Sequence, residues 1–186
     1  MSVTRRTLIV SSAFVPLARL TAASLPTALN AAQMKTLEAF IDRLIPADEL
    51  GPGAVEAGAQ LYIDRALAGP NAGEKAQFIA GLNAVDSYAQ RTHGAALGEL
   101  SAEKRDEILH ALDDGKVPQL RNFFSRVRRM TFEGMFGDPY HGGNRNFAGW
   151  NLLRYPGPRT AVTVEMQSMK QSPKDFRNSA WGSQYK

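Results

Sequence analysis

The chain has 186 residues, a formal charge of +4 and no cysteine. This length suits one globular domain, and the lack of cysteine excludes disulfides, thiol nucleophiles, zinc fingers, iron–sulfur clusters and covalent c-type haem attachment. Three of the 22 basic residues lie in the first thirty positions, which contain no acidic residue. The rest of the chain has 19 basic and 18 acidic residues, so it lacks the surplus of positive charge typical of nucleic-acid binders.

The first thirty residues have the layout of an export signal. A basic pair, Arg5 and Arg6, precedes a short apolar stretch from Leu8 to Ala18 and then small residues, the order found in secretory leaders. The stretch is too short for a membrane span. The segment Thr4–Ile9 resembles the twin-arginine motif of a folded-protein export pathway, and Arg19 agrees with that pathway. We expect export to the periplasm after a partner or cofactor has been acquired in the cytoplasm. The sequence leaves open whether the signal is cleaved, with Thr21-Ala22-Ala23 as a candidate site, or stays uncut. The alternative is a basic N-terminus without a targeting role.

Apolar residues recur at helical spacing through most of the chain. Leu37, Ile41 and Leu44 mark a first helix, which Pro46 ends. The same periodicity, with Gly/Pro stop signals and Ser101 as a helix N-cap, predicts four more helices. The five predicted helices cover 31–44, 55–68, 73–92, 102–114 and 118–135. We therefore predict an all-α fold, a small irregular helical bundle with Gly/Pro-rich loops over residues 31–158.

Residues 159–186 differ in composition from the helical body. The stretch AVTVEMQ alternates for a few residues and predicts an extended C-terminal arm. The rest is polar with isolated rings at Phe176, Trp181 and Tyr185. Such tails often order on a partner protein through their rings, and a disordered tail is the other interpretation. The sequence leaves both open.

Catalytic chemistry has little support in the sequence. His93 lies at a helix end and His110 within a helix, and neither has a carboxylate or second histidine at metal-ligand spacing. His141, with Asp138 nearby in the glycine-rich segment 135–159, is the one acid–base candidate, and no third strong ligand stands close. The glycines fit neither a dinucleotide nor a phosphate-loop pattern. We predict no catalytic, cofactor-binding or metal-binding residue here, and keep a stand-alone periplasmic enzyme using His141 as an alternative.

The segment 135–159 also carries large rings, which flexible linkers avoid. Aromatic residues and arginine dominate the binding energy of protein interfaces, and glycine lets a backbone lie close against a neighbouring surface. We therefore predict a structural and docking element. The predicted partner contacts are Phe136, Tyr140, Arg145, Trp150, Tyr155 and Trp181.

Two motifs in this order are similar to those of the gluconate 2-dehydrogenase subunit 3 family. They read I-P-A-D-x-x-x-P-G-A at 45–54 and G-D-P-x-x-G-G-N-x-x-x-x-G-W at 137–150, and the resemblance covers residues 34–159. It implies a non-catalytic small subunit of a periplasmic, membrane-associated dehydrogenase. In such complexes a large flavoprotein carries FAD and the active site, and a multi-haem cytochrome c subunit passes electrons to the quinone pool.

The resemblance implies that the small subunit stabilises the flavoprotein and escorts it through folded export. It supplies no catalytic residues for this chain. The large subunit would recognise the substrate, so gluconate, other sugar acids, sugars and alcohols all stay open. An exported chaperone that releases its client after transport is a further alternative.

Overall fold

The computed structural model describes residues 27–159, 163–167 and 175–181. Within them the chain forms α1 (Ala31–Leu44), α2 (Ala59–Ala68), α3 (Lys75–His93), α4 (Ala102–Asp113), α5 (Arg121–Phe136) and α6 (Ala148–Leu152), joined by short turns and 3₁₀ helices. These residues contain isolated β-bridges, such as that between Asp48 and Gly51, but no strand or sheet, which confirms the all-α prediction. No helix among them is long and apolar enough to cross a bilayer.

The start of α1 is fixed by a local cap and a long-range carboxylate. Asn30 accepts a hydrogen bond from the Gln33 backbone, and the Gln33 side chain accepts one from Asn30 N–H, which satisfies two of the helix's free donors. The buried Asp64 of α2 accepts the N–H groups of Ala28 and Leu29 at 2.9 and 2.8 Å. The chain entering α1 is therefore tied to α2.

Three predicted helix starts differ from the structure. The helix expected over 55–68 begins at Ala59 instead, because residues 54–58 form a turn that ends at Gly58 with φ +79°. Short 3₁₀ helices, Ala72–Glu74 and Pro118–Leu120, precede α3 and α5 and occupy the first residues predicted to be α-helical. Hydrophobic periodicity runs through these tighter turns, so it places the helices correctly but not their first residues.

Four phenylalanines form the centre of the core. Phe40 of α1 packs against Phe123 and Phe124 of α5 with ring centroids 6.3 and 5.7 Å apart, and Phe78 of α3 lies 5.3 Å from Phe123. Edge-to-face and tilted pairs at these distances are favourable beyond the area they bury. The cluster holds α1, α3 and α5 together.

Helices α2 and α5 approach closely enough to exclude a side chain between them. A Cβ atom on Gly134 would lie 2.9 Å from Ala59 Cα, too close for any larger residue. The same turn of α5 carries the loop that leads to α6. In the predicted extended arm, residues 163–167 form a turn and the 3₁₀ helix Glu165–Gln167; positions 160–162 and 168–174 lie outside the described ranges.

Candidate docking surface

The glycine-rich loop, defined here as residues 137–158, is held tightly against the helices before it. The N–H of Asn144 donates to the Gly134 carbonyl at 2.7 Å, and the N–H of Arg145 donates to the Ala57 carbonyl at 2.9 Å. A Cβ atom on Gly143 would overlap the Gly134 carbonyl oxygen. Backbone therefore packs directly on backbone, and the loop is a fixed part of the fold.

Asn144 braces the loop from inside. Its side chain is fully buried, and its backbone is left-handed with φ +45°. Its Nδ2 donates to the Gly137 carbonyl at 2.8 Å, and its Oδ1 accepts the N–H of Gly149 at 2.9 Å. Asparagine tolerates left-handed backbone better than most residues, so one side chain joins both ends of the turn.

Unfavourable backbone geometry is concentrated in this loop. The four non-glycine residues with positive φ in the described ranges are Asn144, Asn146, Phe147 and Arg154. Such conformations cost roughly 1–3 kcal/mol each and persist where the surrounding structure over-determines them, often at functional sites. The loop is therefore the candidate functional element of the chain.

Trp150, a predicted partner contact, is the internal anchor of the loop. It is 4% exposed, and its Nε1 donates to the Phe136 carbonyl at 2.9 Å. Phe147 and Tyr155 pack on it with ring centroids 5.4 and 5.2 Å away. In this chain Trp150 supports the rings around it, and its assignment to a partner interface stays a prediction.

The other predicted contacts lie nearer the surface. Tyr140 and Tyr155 are 43% and 41% exposed, and Trp181 is 68% exposed. Arg145 is exposed too. Phe136 is half-buried, and its ring stacks on that of the exposed Phe132 with the centroids 5.9 Å apart. Arg5 and Arg6, the predicted export residues, lie outside the described residues. Sequence reasoning missed Phe132, since an outward phenylalanine beside a core stripe carries no signal of its own.

Residues 175–181 pack back onto the loop. The N–H of Ala180 donates to Asp138 Oδ2 at 2.7 Å, and the Arg177 guanidinium donates to the Tyr155 carbonyl at 3.0 Å. The Trp181 ring lies 5.8 Å from the ring of Tyr140. The sequence left an ordered tail and a disordered one open; this described part is ordered against its own chain.

Asp138 joins the loop to that tail segment. Burial raises the pKa of its carboxyl group, but hydrogen bonds from Ser179 and from the N–H groups of Tyr140 and Ala180, with the charge of His141, hold the pKa below its usual value. The carboxylate is therefore ionised at neutral pH and used as a hydrogen-bond acceptor.

His141 has little around it for acid–base catalysis. It is exposed and packs edge-on against Tyr140 at 5.3 Å and Trp181 at 6.5 Å. Its nearest sequence candidate for a partner, Asp138, is occupied by the tail. Within the described ranges no three His, Asp or Glu side chains converge as metal ligands. His141 is therefore surrounded chiefly by the aromatic rings of Tyr140 and Trp181.

Two of the grooves that border the loop have contrasting linings. One, of about 630 Å³, is chiefly apolar, although two charged residues also line it. Its lining consists of Phe136, Asp138, Trp150, Leu153, Arg154, Tyr155, Pro156 and Pro158. We call it the aromatic groove. The other, of about 660 Å³, lies between α2 and the loop and includes Arg65, Arg145 and Arg177. We call it the arginine groove, and its Arg65 and Arg177 have no distinguishing signal in the sequence.

A comparison with known families matches this part of the chain. The family model described as Gluconate 2-dehydrogenase subunit 3 covers residues 31–157, which include all six helices and nearly all of the glycine-rich loop. No curated protein and no solved structure shows a significant match.

Proposed function

The chain belongs to the gluconate 2-dehydrogenase subunit 3 family, as its two motifs predicted, and from this premise we propose that it is the non-catalytic small subunit of a membrane-associated, FAD-dependent dehydrogenase acting on sugar acids, sugars or alcohols. Membership of a subunit family implies a multi-subunit complex. The proposed partners are a large flavoprotein with the FAD and the active site, and a multi-haem cytochrome c subunit. This chain stabilises the flavoprotein and assists its folded export to the periplasm.

The tightly held glycine-rich loop is the observation that carries the proposal. Its backbone is fixed on α5 through Gly134 and braced by Asn144. The loop presents Tyr140 and Tyr155 at the surface, and the tail segment packed on it adds Trp181. A surface that is ordered before binding loses less conformational entropy on association. Large rings on such a surface are typical of interface hot spots. The loop therefore has the properties of a preformed docking element.

The side chains in the loop favour docking over catalysis. Asp138 is held as an acceptor for the tail segment, and the buried polar groups of Asn144 and Trp150 bond to backbone of their own chain. A general base needs a free acceptor directed at the substrate. Among the described residues, the neighbours of His141 are the rings of Tyr140 and Trp181 and a carboxylate that is engaged by the tail segment, so the stand-alone enzyme is the less favoured alternative.

Export by the twin-arginine pathway is the second part of the proposal. It rests on Arg5 and Arg6 and the apolar stretch after them. A folded small subunit bound to the flavoprotein in the cytoplasm would carry it across the membrane with FAD already bound. Replacing the pair, R5K/R6K, is expected to leave both proteins in the cytoplasm. Normal export of the variant would remove this part of the proposal.

A deletion and complementation experiment tests the function. Deleting the gene of this chain should lower periplasmic dehydrogenase activity and the amount of the flavoprotein, and wild-type chain and His141→Ala should both restore them. Restoration by wild type and not by a well-folded His141→Ala chain would favour the enzyme. A mature complex that lacks this chain, with activity intact, would favour the chaperone that releases its client.

A further inference from the structure

The arginine groove is the most basic concave surface near the loop. Arg65 of α2, Arg145 of the loop and Arg177 of the tail segment all line it, and no acidic residue does. Its other walls include the side chains of Leu61 and Phe147. The groove thus combines positive charge with apolar surface.

Two glycines set the positions of the groove's arginines. A Cβ atom on Gly142 would overlap the Arg65 guanidinium, and one on Gly58 would lie 2.6 Å from Arg145 Cδ. Both glycines have positive φ, +98° and +79°. The guanidinium of Arg65 and the stem of Arg145 therefore lie directly on backbone, which restricts their freedom and prepares them for a ligand.

The charges of Arg65 and Arg145 have no counterpart in the described part of the chain. Arg177 pairs with Asp175 at 2.9 Å, and several arginines on other surfaces, such as Arg43 with Asp106, also have acidic partners. No acid among the described residues forms an ion pair with Arg65 or Arg145. Two uncompensated cations in one groove repel each other, and an anionic occupant relieves that repulsion.

We infer that the arginine groove binds an acidic segment of the dehydrogenase partner, the large flavoprotein subunit. The carboxylates of that segment pair with Arg65 and Arg145. The inference rests on the proposed function. Guanidinium groups match carboxylates geometrically and form two parallel hydrogen bonds with them. The groove also continues toward the aromatic groove, because Phe147 lines the first and packs on Trp150, which lines the second. One partner surface can therefore occupy both.

Charge reversal in the intact complex is the first test. The full tagged chain is compared as wild type, as R65E/R145E, and as the control R91E/R121E, which makes the same charge change at exposed arginines outside the groove. We expect R65E/R145E to bind the dehydrogenase partner at least tenfold more weakly, and the control to bind as wild type does. Raising NaCl from about 50 to 500 mM should weaken wild type more than R65E/R145E, since salt screens charge pairs. Equal binding by the two double variants overturns the inference.

A peptide test on the full chain separates failure of this inference from failure of the proposed function. Hexaglutamate should bind wild type and R91E/R121E and not R65E/R145E or the milder R65Q/R145Q, with folding checked by circular dichroism. If wild type retains no dehydrogenase partner and still binds hexaglutamate more strongly than the groove variants do, the proposed function fails, and the inference that the groove binds acidic segments holds. Three results overturn the inference that the groove binds an acidic segment. They are equal binding of the peptide to all variants, no binding of the peptide to wild type, and binding of inorganic phosphate that hexaglutamate does not displace.

Discussion

Asp138 Oδ2 accepts a hydrogen bond from the N–H of Ala180 at 2.7 Å, across 42 residues of chain. This bond, with the stacking of Tyr140 on Trp181, closes the tail segment over the corner of the glycine-rich loop. The exposed rings of both segments therefore form one surface. We therefore expect the position of Trp181 to depend on the charge of Asp138.

Replacing Asp138 should release the tail segment. In Asp138→Asn one oxygen becomes an NH₂ donor and the charge that strengthens the bonds from Ser179 and Ala180 is lost. We expect greater quenching of Trp181 fluorescence by acrylamide, with the buried Trp150 contributing little change. Asp113→Asn, at an exposed carboxylate of α4, is the control. Identical quenching in wild type and Asp138→Asn would show that the carboxylate does not hold the tail.

Acid should have the same effect on wild type. The pKa of Asp138 is lowered from its ordinary value of 3.8, so its contribution to stability is present above about pH 4 and is lost as the pH falls through its folded-state pKa. Quenching of Trp181 should therefore rise on acidification below about pH 4. The same titration of Asp138→Asn should lack that step, and a step of equal size in both proteins would assign it to another group.

Gly143→Ala should destabilise the fold strongly. Its new Cβ atom would overlap the Gly134 carbonyl and break the backbone contact between the loop and α5. We expect the free energy of unfolding, measured by urea denaturation, to fall by about 2–4 kcal/mol, the range of severe steric changes. Gly73→Ala is the matched control because no atom lies within 4 Å of the added Cβ. A change below about 0.5 kcal/mol at Gly143 would contradict the close approach described here.

The helices differ in how well the sequence predicts them. Periodicity of Leu37, Ile41 and Leu44 predicted α1 correctly, because that helix buries one apolar face and carries a clear proline stop. The predicted start of α2 is four residues too early, since the turn before it is closed by backbone bonds, such as Ala54 N–H to the Ile45 carbonyl and Gly58 N–H to the Val55 carbonyl, that leave no pattern in the apolar residues. The single-turn α6 was missed because Ala148–Leu152 is too short for a repeating pattern.

The candidate site was predictable in part. The composition of the glycine-rich loop indicates a docking element, and four of the six predicted partner contacts lie in it: Tyr140, Arg145, Trp150 and Tyr155. Residue type alone does not give the side of the chain to which a ring points, so the burial of Trp150 beneath the other rings could not be predicted; its contact with a partner stays a prediction. The pairing of Asp138 with Ala180 and the unpaired charge of Arg65 arise from contacts between distant segments, which leave no local pattern.

Tyr62 should titrate at unusually high pH. Burial, with the nearby charge of Glu133 and the hydrogen bond to its carboxylate at 3.0 Å, raises the pKa of Tyr62 to about 12. Stability from this pair is full below about pH 10 and is lost as the pH rises toward about 12. Ultraviolet titration of wild type should show a late phenolate that Tyr62→Phe lacks. A titration curve unchanged above pH 11 in Tyr62→Phe would contradict the assignment.

The two tryptophans should separate folding from docking. Trp150→Ala empties a buried site and should lower the free energy of unfolding by about 3–5 kcal/mol. Trp181→Ala removes a ring that is 68% exposed and should change that free energy by less than about 1 kcal/mol, while weakening the dehydrogenase complex tenfold or more. The two measurements are urea denaturation and retention of the complex on a tag. Unchanged retention with Trp181→Ala would remove this residue from the interface.

Native mass spectrometry of the complex purified through a tag on this chain tests the central claim most directly. We expect one copy of this chain bound to one larger flavin-containing subunit. After the two are separated, dehydrogenase turnover should stay with the larger subunit. Flavin and full turnover in this chain by itself would contradict it.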